Sequence, residues 1–196
     1  AAVVPLLALP LPTSAIADVI VLAGFLALAR FFTALAGMDI GTAFGGMGSS
    51  REMMIGALAE PVLLITVFTV SMSAASTNLS EAVDFTLQSG LVLRPSFLFA
   101  ALGLMMVAVA ETGRVPVDNP ATHLELTMVH EAMILEYSGR HLALIEWAAK
   151  IKLMVYMALI INLFLPWGIA TEFTTMSLAQ GLVFTAAKLA VLGVVL

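Results

Sequence analysis

The most polar part of the chain is the segment 111–139, ETGRVPVDNPATHLELTMVHEAMILEYSG, which lies between two apolar stretches. Carboxylates and histidines dominate its chemistry, and these side chains can bind and release protons. Its charged and titratable residues are Glu111, Arg114, Asp118, His123, Glu125, His130, Glu131 and Glu136. We expect the function to reside in this segment.

A metal site is the first chemistry to consider for paired histidines. His130 and Glu131 resemble the start of the zinc motif HExxH, but the fifth position is Ile134, so the motif fails. His123 lies two helical turns before His130, too far for both to bind one ion without a third group. The histidines are therefore interpreted as hydrogen-bonded or proton-relaying side chains, and neither a metal site nor a catalytic residue is predicted.

The segment 121–136 reads as a helix that is polar on two sides. At about 100° per residue, His123 and His130 share one face, and Glu125 and Glu136 share a roughly opposite one. Such a helix could line a cavity with one side and meet a partner protein with the other.

Five ionisable residues lie in or at the edges of apolar stretches: Arg30, Glu60, Glu111, Lys152 and Lys188. A lone charge at bilayer depth costs several kcal/mol, so such residues usually face a water-filled path or pair with one another. Glu60 precedes a proline in mid-span and is expected to be functional. For Arg30 and Lys152 an alternative stays open, in which they snorkel to the interface or mark helix ends.

The composition identifies an integral membrane protein. Of 196 residues, 61% are hydrophobic and 11% are charged, and the mean hydropathy is +1.08, whereas soluble domains average about 25% charged residues. The chain has no cysteine, which excludes disulfides and cysteine-ligated iron–sulfur clusters within it. The net charge of −5, without basic runs or nucleotide-binding motifs, argues against nucleic acid partners.

The hydropathy pattern predicts an all-α polytopic membrane protein, one transmembrane domain over residues 1–196 with about five to six spans. The predicted spans are the end of a first one at 1–9, then 18–36, 51–75, 95–110, 147–167 and 175–196. Both chain ends are expected to be truncated, because each lies inside an apolar run. Between spans we predict a glycine-rich loop over 37–50, with Ser49 or Ser50 capping the next helix, and a polar loop over 76–94 with Glu81 and Asp84 on a solvated face.

Alternating spans place the loops at about 37–51 and 111–146 on one side of the membrane. That side carries the larger share of arginine and lysine, so the positive-inside rule assigns it to the cytoplasm. The two loops, with the polar loop helix, would then form one face on which a soluble partner could dock.

Several motifs resemble the membrane subunit that anchors the peripheral arm of respiratory complex I. They are Glu111-Thr-Gly-Arg114-Val-Pro116-Val-Asp118, followed by Glu125 and by Glu136-Tyr137-Ser138-Gly139. The segment 37–52, GMDIGTAFGGMGSSRE, together with Ala59-Glu60-Pro61 and Leu165-Pro166-Trp167-Gly168, is more similar to the corresponding subunits of membrane-bound NiFe hydrogenases, of the formate hydrogenlyase and hydrogenase-4 type. The motifs are specific in combination, and the resemblance covers about residues 30–188.

The resemblance implies a multi-pass subunit of a prokaryotic cytoplasmic membrane, at the junction of a soluble redox arm and a proton- or sodium-pumping membrane arm. By position it implies that Glu60, Glu111, Asp118, Glu125 and Glu136 belong to a proton path or its rim, and that Arg114 lies at the junction with the soluble arm. The predicted proton path also includes His123, His130, Glu131, Lys152 and Lys188. Docking of the soluble arm is predicted at Asp39, Arg51, Arg114 and Arg140, and ordinary loop and capping roles stay an alternative for Asp39, Arg51 and Glu52. The implied partners are hydrogenase-like large and small subunits, an iron–sulfur subunit and antiporter-like membrane subunits. Iron–sulfur clusters and a NiFe site would lie in those partners, and this chain would hold no cofactor.

The chain departs from the complex I pattern after the second proline, where three closely spaced acids are usual. Here Ala121 and His123 stand at the first two of these positions, and the interval from Glu125 to Glu136 is three residues longer. These departures argue against quinone binding and favour a hydrogenase-type complex, with a quinone-chamber subunit of an NADH dehydrogenase as the alternative. Two alternatives of another class are a purely structural membrane anchor and a stand-alone secondary transporter.

Overall fold

A computed structural model describes residues 18–89, 94–118, 129–170 and 174–196, and these ranges are almost entirely helical. The helices are α1 (Val19–Asp39), α2 (Ala43–Ala74), α3 (Leu79–Ser89), α4 (Pro95–Glu111), α5 (His130–Ile134), α6 (Gly139–Phe164) and α7 (Thr175–Val195). No strand occurs in the described ranges, and the all-α fold is confirmed.

Three helices are long and apolar enough to cross a membrane: α1, α2 and the stretch Thr175–Val194 of α7. The 17-residue α4 is apolar but shorter. The described part of the chain thus has three to four candidate spans, fewer than the five to six predicted, and the first predicted span (1–9) lies outside it. The predicted span 147–167 falls on α6, which begins at Gly139 and ends at Phe164.

The glycine-rich loop over 37–50 is not formed. The helix α1 continues to Asp39 and α2 begins at Ala43, capped by the Thr42 hydroxyl rather than by Ser49 or Ser50. The physical reason is close packing, because a Cβ on Gly45 would overlap the carbonyl oxygen of Gly37. Glycines at helix contacts let backbones approach each other, so here they shape helices and not a loop.

The prediction of a polar loop over 76–94 is also wrong, because the helix α3 occupies most of this range. The Asn78 side chain accepts a hydrogen bond from the Ser80 amide at 2.9 Å where this helix starts. Leu79, Ala82 and Val83 are buried, at the spacing of one helical face. Within α3 the expected solvated face holds for the exposed Glu81 but only in part for Asp84. Asp84 is half-buried, and burial together with the nearby carboxylate raises its pKa.

The predicted loop helix over 121–136 is helical in its described part only at His130–Ile134. Residues 119–128, which include His123 and Glu125, lie outside the described residues. Glu136 follows the end of α5, so it does not lie on the helical face that the sequence predicted for it.

The helix α2 is central to the packing, because it contacts α1, α3, α4 and α5. Pro61 lies inside this helix. A buried apolar core forms where α2 packs against α1, α4 and α6, and it includes Leu26, Leu63, Val67, Leu104 and Leu159. Above this core, α5 packs against the C-terminal end of α1 and the N-terminal end of α2, and the Tyr137 hydroxyl donates to the Ala36 carbonyl at 3.0 Å.

Substituting Gly45 with Ala should destabilise the protein by about 1–3 kcal/mol, the usual cost of overpacking a tight contact. The new Cβ would overlap the backbone of Gly37, which cannot rotate away as a side chain could. Thermal unfolding in detergent measures the effect as a lower Tm. Gly46→Ala is the matched control, because a Cβ there meets nothing within 4 Å. Equal Tm values for the two variants would contradict this packing.

Candidate functional site

Arg30 lies at the centre of a cluster of charges inside the helix bundle. Its Nη1 donates to Glu60 Oε1 at 2.8 Å, and its Nη2 donates to Glu111 Oε1. The Arg30 side chain is only 3% exposed, so it does not snorkel to the interface. One guanidinium therefore joins carboxylates of α2 and α4 to α1.

Glu111 is held between two cations. Lys152 Nζ, on α6, lies 2.8 Å from Glu111 Oε2, on the side opposite to the Arg30 contact. The Glu111 side chain is 1% exposed, and its Oε2 has no aligned hydrogen bond from a described residue. The Lys152 contact is thus a Coulombic pair that leaves Oε2 able to accept a further hydrogen bond.

Backbone geometry fixes the position of Glu111 at the last residue of α4. Gly113 adopts a positive φ of 59°, which glycine tolerates without strain. The Arg114 amide then donates back to the Val109 carbonyl at 3.1 Å, which closes the helix end. The helix α4 therefore stops at the depth of Arg30, and the carboxylate that ends it points into the bundle.

A second glycine makes room for the guanidinium. A Cβ on Gly56, in α2, would overlap Nη1 of Arg30 and lie 2.8 Å from its Cδ and Cζ. The Arg30 side chain therefore packs directly on the α2 backbone, which sets its reach toward Glu60 and Glu111.

A cavity of about 290 Å³ adjoins the cluster. Its charged and titratable lining consists of Arg30, Glu52, Glu111, Asp118, His130 and Lys152. The Asp118 carboxylate is buried and accepts hydrogen bonds from the amides of Val129 (3.3 Å) and His130 (3.2 Å). Asp118 thereby holds α5 against the cavity and brings the His130 side chain to its wall.

The predicted path residues fall into four groups. The structure brings Glu60, Glu111 and Lys152 together around Arg30, and it places Asp118 and His130 on the adjoining cavity. Glu131 and Glu136 are exposed and are not among the described residues that line this cavity.

Lys188 lies apart from the cluster, and its Nζ donates to the carbonyls of Leu165 (2.6 Å) and Trp167, which follow the end of α6. His123 and Glu125 lie outside the described residues.

The predicted docking residues lie near helix ends on the α5 side of the bundle. Asp39 ends α1, Arg114 follows α4 and Arg140 is the second residue of α6, and all three are exposed. Arg51, in α2, is only partly buried. The exposure of Asp39, Arg114 and Arg140 makes these three side chains available to a partner, and the role of all four residues in docking stays a prediction.

Two residues of the site were missed or undervalued by the sequence. Glu52 is not among the residues predicted for the proton path, but α2 starts nine residues before it and Glu52 lies on the cavity wall. Tyr156 carried no signal, since one aromatic residue in an apolar helix is unremarkable. It nevertheless lies buried one helical turn after Lys152, on the same face of α6. In the described ranges no group of three or more metal-binding side chains comes together.

Comparisons with known proteins show what this chain is similar to. The model of the NADH dehydrogenase family matches residues 1–196. Hydrogenase-4 component C of Escherichia coli (strain K12) is 37% identical over 171 residues, which cover 87% of this chain and 53% of that protein. Formate hydrogenlyase subunit 4 of the same organism is 32% identical over 191 residues, which cover 97% of this chain and 61% of that protein. The chain thus spans somewhat more than half the length of these curated relatives.

Proposed function

The chain belongs to the NADH dehydrogenase family, and on that premise we propose that it is a membrane subunit of an ion-translocating oxidoreductase complex of the formate hydrogenlyase or hydrogenase-4 type. In this role it anchors a soluble redox arm and couples electron transfer to the movement of protons or sodium ions. The names of both relatives favour a hydrogenase-type complex over a quinone-chamber subunit of an NADH dehydrogenase.

The observation that carries the proposal is the charge cluster of Arg30, Glu60, Glu111 and Lys152 inside an apolar helix bundle. Charges at this depth are costly unless they are paired or face water. The chain instead assembles them from four different helices, beside a polar cavity. A membrane anchor needs no such cluster, because apolar helices alone hold a protein in a bilayer.

The balance of charges suits ion uptake. Two cations, Arg30 and Lys152, face four carboxylates in the cluster and on the cavity wall, those of Glu52, Glu60, Glu111 and Asp118. The surplus of carboxylates can take up protons that enter from the α5 side, where His130 lines the cavity. A change of charge in the soluble arm would shift these protonation states through the low-dielectric interior.

Glu60 is the candidate outlet of the proton path, the residue from which protons leave the charge cluster. Its side chain is 41% exposed, although Arg30 binds one of its oxygens. A half-exposed carboxylate in the middle of a spanning helix needs water or another subunit beside it. We place an antiporter-like membrane partner there, and the hydrogenase-like and iron–sulfur subunits at the opposite, α5 side. The redox centres belong to those partners, in a prokaryotic cytoplasmic membrane, and this chain has no redox centre of its own.

Replacing Glu60 with Gln tests the proposal. Ion translocation by the assembled complex should fall at least tenfold, because the outlet no longer takes up or releases a proton, while assembly stays intact. The measurement is dye-reported proton uptake, or sodium-22 uptake, by inverted vesicles during hydrogen evolution. Glu81→Gln, the same change on the exposed face of α3, is the matched control. Full turnover and full translocation in Glu60→Gln would refute the role of this residue.

A purely structural anchor predicts the reverse pattern. In that case Arg114→Ala, which removes an exposed cation on the α5 side, would release the soluble arm, and Glu60→Gln would have no effect. Co-purification of the arm with each variant distinguishes the two functions. A chain that purifies alone from native membranes would favour a stand-alone transporter.

A further inference from the structure

Tyr156 has an unusual environment for a hydroxyl group. Its side chain is 0% exposed and packs in the apolar core with residues such as Leu104, Ala108 and Leu159. Its hydroxyl has no hydrogen-bond partner among the described residues. Leaving a buried hydroxyl without a partner costs free energy, and a phenylalanine ring would fill the same volume without that cost. The hydroxyl therefore calls for an explanation other than packing.

The position of Tyr156 connects it to the charge cluster. It follows Lys152 by one helical turn on α6, so the two side chains lie on the same face of that helix. Glu111, paired with Lys152, also has a buried oxygen, Oε2, that no described residue hydrogen-bonds. Lys152 thus connects Tyr156, its neighbour on one face of α6, with Glu111, its partner in the ion pair.

We infer that the Tyr156 hydroxyl is the proton-carrying group that follows Glu111, on the side of the cluster that faces the apolar core. This inference rests on the proposed function, which requires a route away from the α5 side. The hydroxyl oxygen receives a proton from protonated Glu111, directly or through one water molecule, and releases its own proton in the same way to the Glu60 carboxylate, the outlet proposed above. The O–H bond of Glu111 and the original O–H bond of Tyr156 break while a new O–H bond forms on Tyr156 and another on Glu60, so Tyr156 ends the step neutral, Glu111 as a carboxylate and Glu60 as a carboxylic acid.

The Tyr156→Phe variant separates this role from a structural one. It removes one oxygen and keeps the ring, so thermal stability in detergent should stay unchanged or rise. Ion translocation per assembled complex should fall at least tenfold, within the range lost when a positioned proton carrier is removed. Asn162→Leu is the matched control. Its amide nitrogen is also buried and has no hydrogen-bond partner in the described part of the chain, but it lies about 9 Å further along α6, and its loss should leave translocation unchanged.

Measuring Glu111→Gln in parallel distinguishes a failure of the inference about Tyr156 from a failure of the proposed function. If Glu111→Gln stops translocation and Tyr156→Phe does not, the inference about Tyr156 is overturned and the proposed function stands. If neither variant changes translocation, both are overturned. A Tyr156→Phe variant that fails to assemble, or that loses stability, shows that the hydroxyl serves the fold and also overturns the inference.

Discussion

The Glu111→Gln variant should lose at least nine tenths of coupled ion movement, and it should also be the least stable of the single charge-neutralising variants. Glu111 is the one carboxylate of the cluster that contacts both cations, Arg30 and Lys152. Glutamine keeps the shape but removes the ion pair of Lys152 and leaves Arg30 paired with Glu60 alone. Removing one partner of a buried ion pair costs about 3–5 kcal/mol.

The loss of stability and the loss of function can be separated with a second substitution. Glu111→Gln combined with Lys152→Met restores the balance of charge, since Arg30 and Glu60 stay paired. We expect the double variant to regain most of the Tm and none of the translocation. The measurements are thermal unfolding in detergent and ion uptake by inverted vesicles. Wild-type uptake in the double variant would remove Glu111 from the path.

The sequence identified most members of the cluster, because charges in apolar stretches are few and must have a reason. Glu60, Glu111 and Lys152 were singled out on this ground alone, and the structure brings them together. The sequence alone could not show which of these charged residues pair with each other. Arg30 and Glu111 are 81 residues apart, and their contact depends on where each helix stops and how it rotates against its neighbours. The snorkelling alternative for Arg30 was open for the same reason.

The main error of the sequence interpretation concerned glycine. In water a glycine-rich run usually forms a loop, because each glycine costs helical stability. Within a membrane the same residues allow helices to touch, and four-residue spacing is typical of such contacts. Gly37, Gly41 and Gly45 have that spacing, which was the signal available. Only Gly41 serves a turn, with a φ of 70°, whereas the other two lie in helices.

Tyr156 shows a limit of another kind. A tyrosine in an apolar helix can lie at an interface, in a core or in a functional site, because its ring is apolar and its hydroxyl is polar. Burial and the absence of a hydroxyl partner among the described residues are properties of the packed bundle, and no pattern along the chain encodes them.

Gly56→Ala should impair coupling although it changes no charge. The added methyl group would overlap Nη1 of Arg30 and press on its Cδ and Cζ. Because Glu60 and Glu111 hold the guanidinium on both sides, the side chain can move only by lengthening at least one of these ion pairs. We expect translocation to fall about tenfold, since misplacing a positioned group by about 1 Å can cost up to 10²-fold.

This variant tests geometry separately from chemistry. Gly24→Ala is its control: it adds the same methyl group to the helix that carries Arg30, where a Cβ meets nothing within 4 Å. It should keep wild-type translocation and gain up to about 1 kcal/mol of helix stability. Translocation per assembled complex is compared for both, with assembly checked by co-purification. If Gly56→Ala moves ions as fast as Gly24→Ala, the cluster needs its charges but not their arrangement, and a fixed Arg30 cannot be the element that couples Glu60 to Glu111.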